Sequence, residues 1–200
     1  MPDIKHFNPD TALERVERLF WQHGAAEASI QDVADVTGLN RSSLYSTFGS
    51  KRDLYLAALR RYVQQRAQPR CRQLAEDEQG LPAIQDFFTG LIEARCSGEY
   101  AGWGCMIVNA YIGAERGDPD VRTLLDDYHQ WLRDAMRAVL ETARRRGQLS
   151  PAVPDATAET LVLLAYGVNV RSRAGADADS LLDTVTATLA LLGLEAQDSI

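Results

Sequence analysis

The sequence predicts an all-α protein of about nine helices. Apolar residues recur at three- and four-residue spacing along most of the chain, and the alternation of period two that indicates strands is convincing nowhere. Pro82, Pro119 and Pro154 each stand near the start of a helical pattern, where a missing N–H costs nothing. With 200 residues, 46% of them hydrophobic, the chain can bury a sizeable core.

The first helix is expected to take Asp10 or Thr11 as its N-cap and to end at Gly24. Its apolar residues have helical spacing and are Leu13, Val16, Leu19 and Phe20. This pattern indicates an amphipathic helix with one face turned towards a core.

Two short helical patterns follow the first helix. Ser29, with Asp32 three residues later, resembles a capping box and opens a second helix that should end at Gly38. Asn40 can then cap a third helix that runs through about Phe48. A short helix, a glycine that can take positive φ and a capped second helix are typical of the helix-turn-helix, whose second helix fits the major groove of DNA.

The third helix turns small hydroxyls and one basic side chain outward, at Arg41, Ser42, Ser43, Ser46 and Thr47. Residues 37–52 contain no acid and include Arg41, Lys51 and Arg52, although the whole chain has a net charge of −7. Short hydroxyls reach base edges, arginine can pair with guanine, and Tyr45 and Lys51 can touch flanking phosphates. The alternative is a helical hairpin inside a bundle, which would not need an acid-free polar face.

A resemblance to the DNA-binding head of the TetR family of transcriptional regulators extends over residues 13–59, LERVERLFWQHGAAEASIQDVADVTGLNRSSLYSTFGSKRDLYLAAL. The resemblance implies that Ser29, Tyr45 and Lys51 contact phosphates. It also implies that the bases are faced by Arg41, Ser42, Ser43 and Thr47. Asn40, where the family more often has Ser, remains a good helix cap and is included among the DNA-binding candidates.

The fourth helix is expected to be long and to connect two domains. Ser50 can cap it, it covers about residues 51–75, and it must kink or finish after Pro69. We therefore expect a helix-turn-helix DNA-binding domain in residues 1–50. The resemblance implies an effector-binding and dimerisation domain in residues 51–200. Prolines near helix starts and glycine-containing connectors divide the later part of the chain into helices at about 81–96, 104–116, 118–146, 155–173 and 178–193.

The last two helices are expected to form a dimer interface. The segments LVLLAYGVNV and LLDTVTATLALLGL are too apolar for helices with one solvent-exposed face. Two such helices from each subunit could form a four-helix bundle. The alternative is that they close the monomer's own core. The candidate interface residues are Leu161, Leu164, Val168, Leu182, Val185 and Leu189.

Aromatic residues are concentrated in the middle of the chain, where a ligand pocket would have to form. Aromatics at helical spacing are more often plain core, so this interpretation has an alternative at every position. The candidate ligand-binding residues are Phe88, Trp103, Met106, Asn109, Tyr111, Tyr128, Trp131, Tyr166 and Asn169.

Metal and catalytic chemistry have no recognisable motif in the sequence. The three cysteines lack CxxC spacing, the three histidines are scattered, and GxSxG, HExxH and a glycine-rich phosphate loop are all missing. We expect no enzyme, no metal and no cofactor. Cys105 stands at a helix start and could sense electrophiles or oxidants, but a small hydrophobic role is favoured because no basic residue stands near it in sequence.

The sequence therefore predicts a DNA-binding transcriptional regulator. Two-fold symmetry would let a homodimer recognise a palindromic operator in double-stranded DNA. The resemblance implies a repressor that an unknown small-molecule effector releases from DNA. No apolar run is long enough to span a membrane and no secretory signal is visible, so a cytoplasmic location is expected. The competing interpretations are an all-helical ligand-binding or scaffolding module without DNA contact, and a redox- or electrophile-sensing regulator acting through Cys105.

Overall fold

Helices follow one another throughout the computed structural model, which describes residues 8–150 and 156–193. In these two ranges every regular element is helical, so the all-α prediction is confirmed. The ten α-helices are α1 Pro9–His23, α2 Ile30–Thr37, α3 Arg41–Phe48, α4 Lys51–Tyr62, α5 Gln68–Glu76, α6 Leu81–Cys96, α7 Met106–Ile112, α8 Pro119–Arg145, α9 Thr157–Arg173 and α10 Ala178–Leu191.

Helix α1 begins earlier than the sequence suggested. Its N-cap is Asn8, whose side-chain oxygen accepts from the backbone N–H of Asp10 at 2.9 Å and of Thr11 at 3.4 Å. The prediction that Asp10 or Thr11 caps the helix is therefore wrong. Pro9 explains the difference, because its fixed φ and missing N–H suit the first position of a helix. The predicted end at Gly24 is confirmed.

The turn between α2 and α3 has the expected geometry. Ser29 and Asp32 form both bonds of a capping box, at 3.1 and 2.7 Å. Gly38 ends α2 in the left-handed region with φ of 71°, where a side chain would be strained. Asn40 caps α3 by accepting from the Ser43 N–H at 2.8 Å. The helix-turn-helix was therefore predictable from its caps and its glycine.

Helices α4 and α5 form one continuous rod that contains a wider turn. Ser50 caps α4 through a second capping box with Asp53. A π-helical turn, Val63–Ala67, then leads into α5, and Pro69 lies in the first turn of α5. Pro69 therefore neither ends nor visibly breaks the rod. The wider π turn just before it relieves the clash that a proline ring makes with the preceding turn of an α-helix. Counted as one rod, α4 and α5 bring the number of helices in the described ranges to the nine expected.

The helices of the body agree with the predicted ranges except at their ends. Helix α6 has the predicted bounds, whereas α7 starts after Gly104 and Cys105, and a 3₁₀ turn, Ala114–Gly117, follows it. Gly104 has φ of 66° and its Cα lies where a Cβ would approach the Asn109 side chain and the Asn169 carbonyl at 3.1 Å, so this position requires glycine. The expected start of α9 at 155, and Pro154, lie outside the described residues.

One hydrophobic core joins the N-terminal helices to the body. Helix α1 packs on α4, α5 packs on α8, and α9 packs on both α6 and α8. The buried cluster extends from Val16 in α1 through Leu59 and Ile84 to Val185 in α10. Movement in the body can therefore reach the N-terminal helices by direct packing.

Candidate DNA-binding surface and effector cavity

Helix α3 presents a polar surface to solvent. Leu44 faces the core and is 1% exposed, whereas Arg41, Ser42, Tyr45 and the Ser46–Thr47 pair are exposed. Tyr45, a predicted phosphate contact, is 47% exposed. Ser43 is half-buried beside its bond to Asn40, which is itself exposed. Most of the predicted base-facing side chains are thus accessible on one short helix.

Two predicted phosphate contacts lie at helix starts beside α3. Ser29 is exposed at the N-cap of α2, and Lys51 is half-buried at the first position of α4. Backbone N–H groups at helix starts point outward and favour anions, so both positions suit a DNA phosphate.

Gln31 is a polar residue of this surface that sequence reasoning missed. Its side-chain oxygen accepts from Arg41 at 3.0 Å, and its amide donates to Asp35 at 2.8 Å. Gln31 is exposed in the first turn of α2, a position that could have identified it. To pair with a guanine, Arg41 must either break its hydrogen bond to Gln31 or move together with Gln31.

Arg52 pairs with acidic residues of the body, although its position in the acid-free stretch suggested that it belongs to the basic face. Its guanidinium pairs with Asp118 and Asp120 at the start of α8, including a bond of 2.8 Å to Asp118. The hydrogen bond from Arg52 holds the pKa of the Asp118 carboxyl below its usual range. Arg52 therefore ties the start of α4 to the body and adds little to the basic face, which consists of Arg41 and Lys51.

Two further contacts attach the end of α1 to the body. Glu115 accepts from the backbone N–H of Ala25 at 3.0 Å and of Ala26 at 3.1 Å. At the end of α9, Arg173 donates to the carbonyl oxygens of Gln22 at 3.1 Å and Trp103 at 2.8 Å. The loop that precedes α2 is thus held from two sides.

A buried ion cluster joins α1 to the α4–α5 rod. Glu17 is fully buried, and its two carboxylate oxygens receive Arg61 at 2.6 Å and Arg66 at 3.1 Å. Two arginines on one carboxylate compensate the cost of burying its charge.

A cavity of about 330 Å³ lies where α1, the α4–α5 rod, α6 and α8 meet. Its lining combines aromatic rings, arginines and two thiols. These residues are Trp21, Tyr62, Gln65, Arg66, Ala67, Pro69, Arg70, Cys71, Phe87, Leu91, Ala94, Arg95, Tyr100, Cys105 and Tyr128. The volume lies in the lower part of the range for small-molecule sites.

The aromatic wall of the cavity is fixed in place by its own contacts. Trp21 donates from its indole N–H to the Gly104 carbonyl at 3.0 Å and stacks on Tyr100 with ring centroids 4.9 Å apart. The Arg66 guanidinium lies over both rings, 5.1 Å from the Trp21 centroid and 4.8 Å from that of Tyr100. The wall therefore presents flat, rigid surfaces beside a positive charge.

Three of the predicted ligand-binding residues lie at or directly behind this wall. Tyr128 lines the cavity. Trp103 packs edge-on against Trp21 with centroids 5.4 Å apart. Asn169 is buried and accepts from Arg95 at 2.6 Å, so it supports a wall residue from behind.

Three other predicted ligand residues lie in the core or in a second cleft. Phe88 is fully buried and contacts Phe87, which lines the cavity, at a centroid distance of 5.3 Å. Met106 and Asn109 line a separate cleft beside the end of α1.

The remaining predicted ligand residues, Tyr111, Trp131 and Tyr166, lie outside the cavity lining. Tyr111 and Tyr166 have ring centroids 5.6 Å apart, and His129 lies 3.3 Å from the Tyr166 hydroxyl. Trp131 is half-buried on α8. None of these four side chains lines the cavity.

Family profiles match most of the chain. The profile described as "Bacterial regulatory proteins, tetR family" matches residues 13–58, and that described as "Tetracyclin repressor-like, C-terminal domain" matches residues 80–188. The chain belongs to the TetR family. The prediction of a helix-turn-helix transcriptional regulator that binds DNA is thereby confirmed.

Individual relatives agree over nearly their whole length. The chain is 29% identical to the HTH-type transcriptional repressor ComR of Escherichia coli over 94% of this chain and 90% of ComR. It is 30% identical to the uncharacterized HTH-type regulator YezE of Bacillus subtilis over 94% and 97% of the two chains. Among solved structures, a cysteine mutant of the TetR-family regulator CifR complexed with 26bp operator DNA is similar with a TM-score of 0.79 and 25% identity, covering 93% of this chain and 97% of that chain.

TetR-family proteins act as dimers, and the structure shows which residues of the last two helices are free to meet a partner. Four of the predicted interface residues are buried in the protomer's own core, because they lie on the inward faces of α9 and α10: Leu161, Val168, Val185 and Leu189. Leu164 is half-buried and Leu182 is 40% exposed. On α9, Leu163 and Val170 are exposed as well.

The three cysteines differ in burial and in position. Cys71 and Cys105 are buried and both line the cavity, and Cys96 is half-buried. Burial raises the pKa of the Cys71 thiol to about 12. Among residues 8–150 and 156–193, no group of three or more His, Cys, Asp or Glu could hold a metal ion, and no helix is long and apolar enough to cross a membrane.

Proposed function

We propose that this protein is a repressor that a small molecule in the 330 Å³ cavity releases from a palindromic operator. One observation carries the proposal: the cavity wall is built from the same helices that carry the DNA-binding surface. Trp21 belongs to α1 of the N-terminal head, and Tyr62 to Ala67 belong to the rod that begins at Lys51. A ligand that alters this wall acts directly on the placement of α3.

In this proposal the domains keep their expected limits, residues 1–50 for DNA binding and 51–200 for effector binding and dimerisation. Arg41, Ser42, Ser43 and Thr47 face the bases. The phosphates are contacted by Ser29, Asn40, Tyr45 and Lys51. Exposure of most of these side chains on α3 and its flanks supports the assignment.

Dimerisation is assigned to the outward faces of α9 and α10. Leu163, Val170 and Leu182 are large apolar side chains that remain exposed there, and Gly167 adds no side chain between them. A glycine on an apolar face permits close helix approach, so this face suits a four-helix bundle with a second copy. Such a dimer sets the spacing of two α3 helices on DNA.

DNA is released when the spacing of the two α3 helices no longer matches the spacing of the major grooves in the operator. A ligand that shifts the α4–α5 rod moves both α3 helices, so each dimer loses part of its second half-site contact. The loss of one tethered half-site is worth several kcal/mol, because the second contact benefits from a high effective concentration.

We assign no catalytic activity to the protein and place it in the cytoplasm, where its DNA partner is. Both assignments rest on the similarity of the chain to transcriptional regulators.

Thiol sensing at Cys105 is a second candidate. Cys105 lines the cavity, and its Sγ accepts at 3.5 Å from the Tyr62 hydroxyl, which itself accepts from Arg95 at 3.3 Å. No basic residue stands near Cys105 in the sequence, whereas the fold brings Arg95 to the same hydroxyl. Mild alkylation of the native protein followed by intact-mass analysis tests this candidate. Unmodified Cys105 excludes it, and modification that abolishes operator binding supports it.

A gel mobility-shift titration on the DNA flanking the protein's own gene tests the repressor proposal. The expected result is retention that is selective over a scrambled DNA of equal composition and that weakens as salt rises. Arg41→Ala should reduce that selectivity, while Arg122→Ala, on an exposed position of α8, should leave it unchanged. Failure to retain either DNA would instead favour a ligand-binding or scaffolding module without DNA contact, and equal retention of both DNAs would contradict sequence-specific binding.

A further inference from the structure

We infer that the effector is a small organic anion, a carboxylate on a flat apolar body, and that Arg95 pairs with its charged group. The inference rests on the proposed function, since it takes the cavity to be the effector site. It goes further by naming the chemical class of the ligand and the residue that selects it.

The charge of the lining favours an anion. Arg66, Arg70 and Arg95 line the cavity and no lining residue is acidic. The whole chain is acidic, with a net charge of −7, so a wall without acids is not what the average composition of the chain would give. A cavity with walls of one sign of charge concentrates ligands of the opposite sign.

Arg95 is the decisive residue because its charge is buried without a counter-ion. It is 7% exposed in the last turn of α6. Its hydrogen bonds go to neutral groups, from Nε to the Asn169 side-chain oxygen at 2.6 Å and from Nη2 to the Tyr62 hydroxyl at 3.3 Å. Among the described residues it forms no ion pair, and these two bonds leave Nη1 and the second N–H of Nη2 available.

The other two arginines of the lining do not share this situation, because Arg70 is exposed and Arg66 has a carboxylate partner. Arg66 is paired with the buried Glu17 at 3.1 Å, and Arg61 is paired with the same carboxylate at 2.6 Å. Buried charges in proteins are normally paired, because an isolated one loses its hydration without compensation. A carboxylate in the cavity would supply the missing partner of Arg95, in the planar two-bond geometry that guanidinium and carboxylate favour.

The shape of the cavity limits the rest of the ligand. Trp21 and Tyr100 are stacked on one side with an interplanar angle of 27°, and Phe87 and Tyr128 contribute further rings. Flat aromatic walls bind flat apolar groups well. At about 330 Å³ the space suits a molecule of one or two rings.

Paired ligands that differ only in charge test the inference. Benzoate, phenylacetate, cinnamate and indole-3-carboxylate are each compared with the corresponding primary amide, and binding is followed by tryptophan fluorescence and by thermal shift. Trp21 in the wall supplies the optical signal. We expect at least one acid to bind about tenfold or more tightly than its amide.

Variants of Arg95 show whether this residue provides the preference. Arg95→Met should bring acid and amide to nearly equal affinity, Arg95→Lys should keep part of the preference, and Arg122→Met, on the exposed face of α8, should keep all of it. The lysine variant retains the buried charge, so it separates loss of charge recognition from damage to the fold.

Two results would overturn the inference. One is that no acid of the panel binds, or that the amides bind as tightly as the acids. The other is that Arg95→Met retains the full preference for the acid. Operator binding by the ligand-free protein is measured in parallel: if it persists, the repressor proposal stands while the anion inference fails, and if it is missing, the repressor proposal itself fails.

Discussion

Replacing Glu17 by Gln tests whether the buried ion cluster holds α1 against the α4–α5 rod. The substitution keeps the size of a fully buried side chain and removes its charge. Arg61 at 2.6 Å and Arg66 at 3.1 Å then lose their shared carboxylate. An amide offers only one oxygen to these donors and turns its own N–H groups towards an arginine. The folded state should therefore be destabilised.

The magnitude follows from the exposure of the two arginines. Removing one partner of a buried ion pair costs about 3–5 kcal/mol. The Arg61 and Arg66 side chains are 16% and 33% exposed, so water can partly replace the lost carboxylate, and we expect the lower limit, about 3 kcal/mol. For a chain of this length that corresponds to a fall in melting temperature of about 6–12 °C.

Chemical and thermal denaturation of both Glu17→Gln and Glu14→Gln measures the effect against a matched control. Glu14 lies on the same helix and pairs with Arg18 at 2.8 Å and more distantly with Arg61 at 3.6 Å, but its side chain is 39% exposed. An exposed pair is worth about 0–1 kcal/mol, so the Glu14 variant should remain close to the parent. Equal stability losses in the two variants would refute the claim that burial makes the Glu17 cluster important.

Three further predictions concern DNA, dimerisation and pH. Lys51→Ala should weaken binding to all DNA alike and lower the slope of log affinity against log salt by about one, and a loss of discrimination at unchanged slope would contradict this. A chain truncated before Asp155 lacks α9 and α10, so light scattering should find a monomer that fails to hold specific DNA. Asp118→Asn keeps a helix cap but loses the charge that pairs with Arg52. Because the pKa of Asp118 is lowered on folding, its contribution is present above the ordinary Asp pKa of about 3.9 and is lost as pH falls, so the variant should melt lower at neutral pH and differ least in acid.

Local signals made the N-terminal third of the fold predictable. Ser29, Asn40 and Ser50 are caps whose partners lie three residues away, and Gly38 needs only its own backbone freedom. Both partners of such an interaction lie within one or two helical turns of each other, so a short segment of sequence is enough to predict it. The predicted cap of α1 is wrong because Pro9 starts the helix and leaves Asn8 as its cap.

Buried charges were harder to predict, because their burial depends on partners distant in the chain. Glu17 falls between Val16 and Phe20 on the inward face of α1, and Arg95 follows Leu91 at helical spacing in α6. The spacing alone would place both side chains inside. Because both side chains are charged, they would be expected to face solvent. Only the assembled fold brings Arg66 close to Glu17 and Asn169 close to Arg95.

The apolar composition of α9 and α10 predicted an interface but did not identify its face. Both helices are apolar on the side that closes the protomer and retain large apolar residues on the other. Leu161 and Leu163 are two residues apart and lie on opposite sides of α9, the first buried and the second 58% exposed. Which face is inward depends on how α6 and α8 pack against the helix.

Reciprocal binding tests the central claim, that the cavity and the DNA surface are coupled through the α4–α5 rod. The affinity of the tightest-binding acid of the panel is measured for the full-length protein with and without saturating operator DNA, and operator affinity is measured with and without saturating acid. Linkage requires that the two affinities fall by the same factor, and coupling of 1–3 kcal/mol predicts a factor of about 5–150. Equal affinity of the acid for the free and the operator-bound protein would contradict the account.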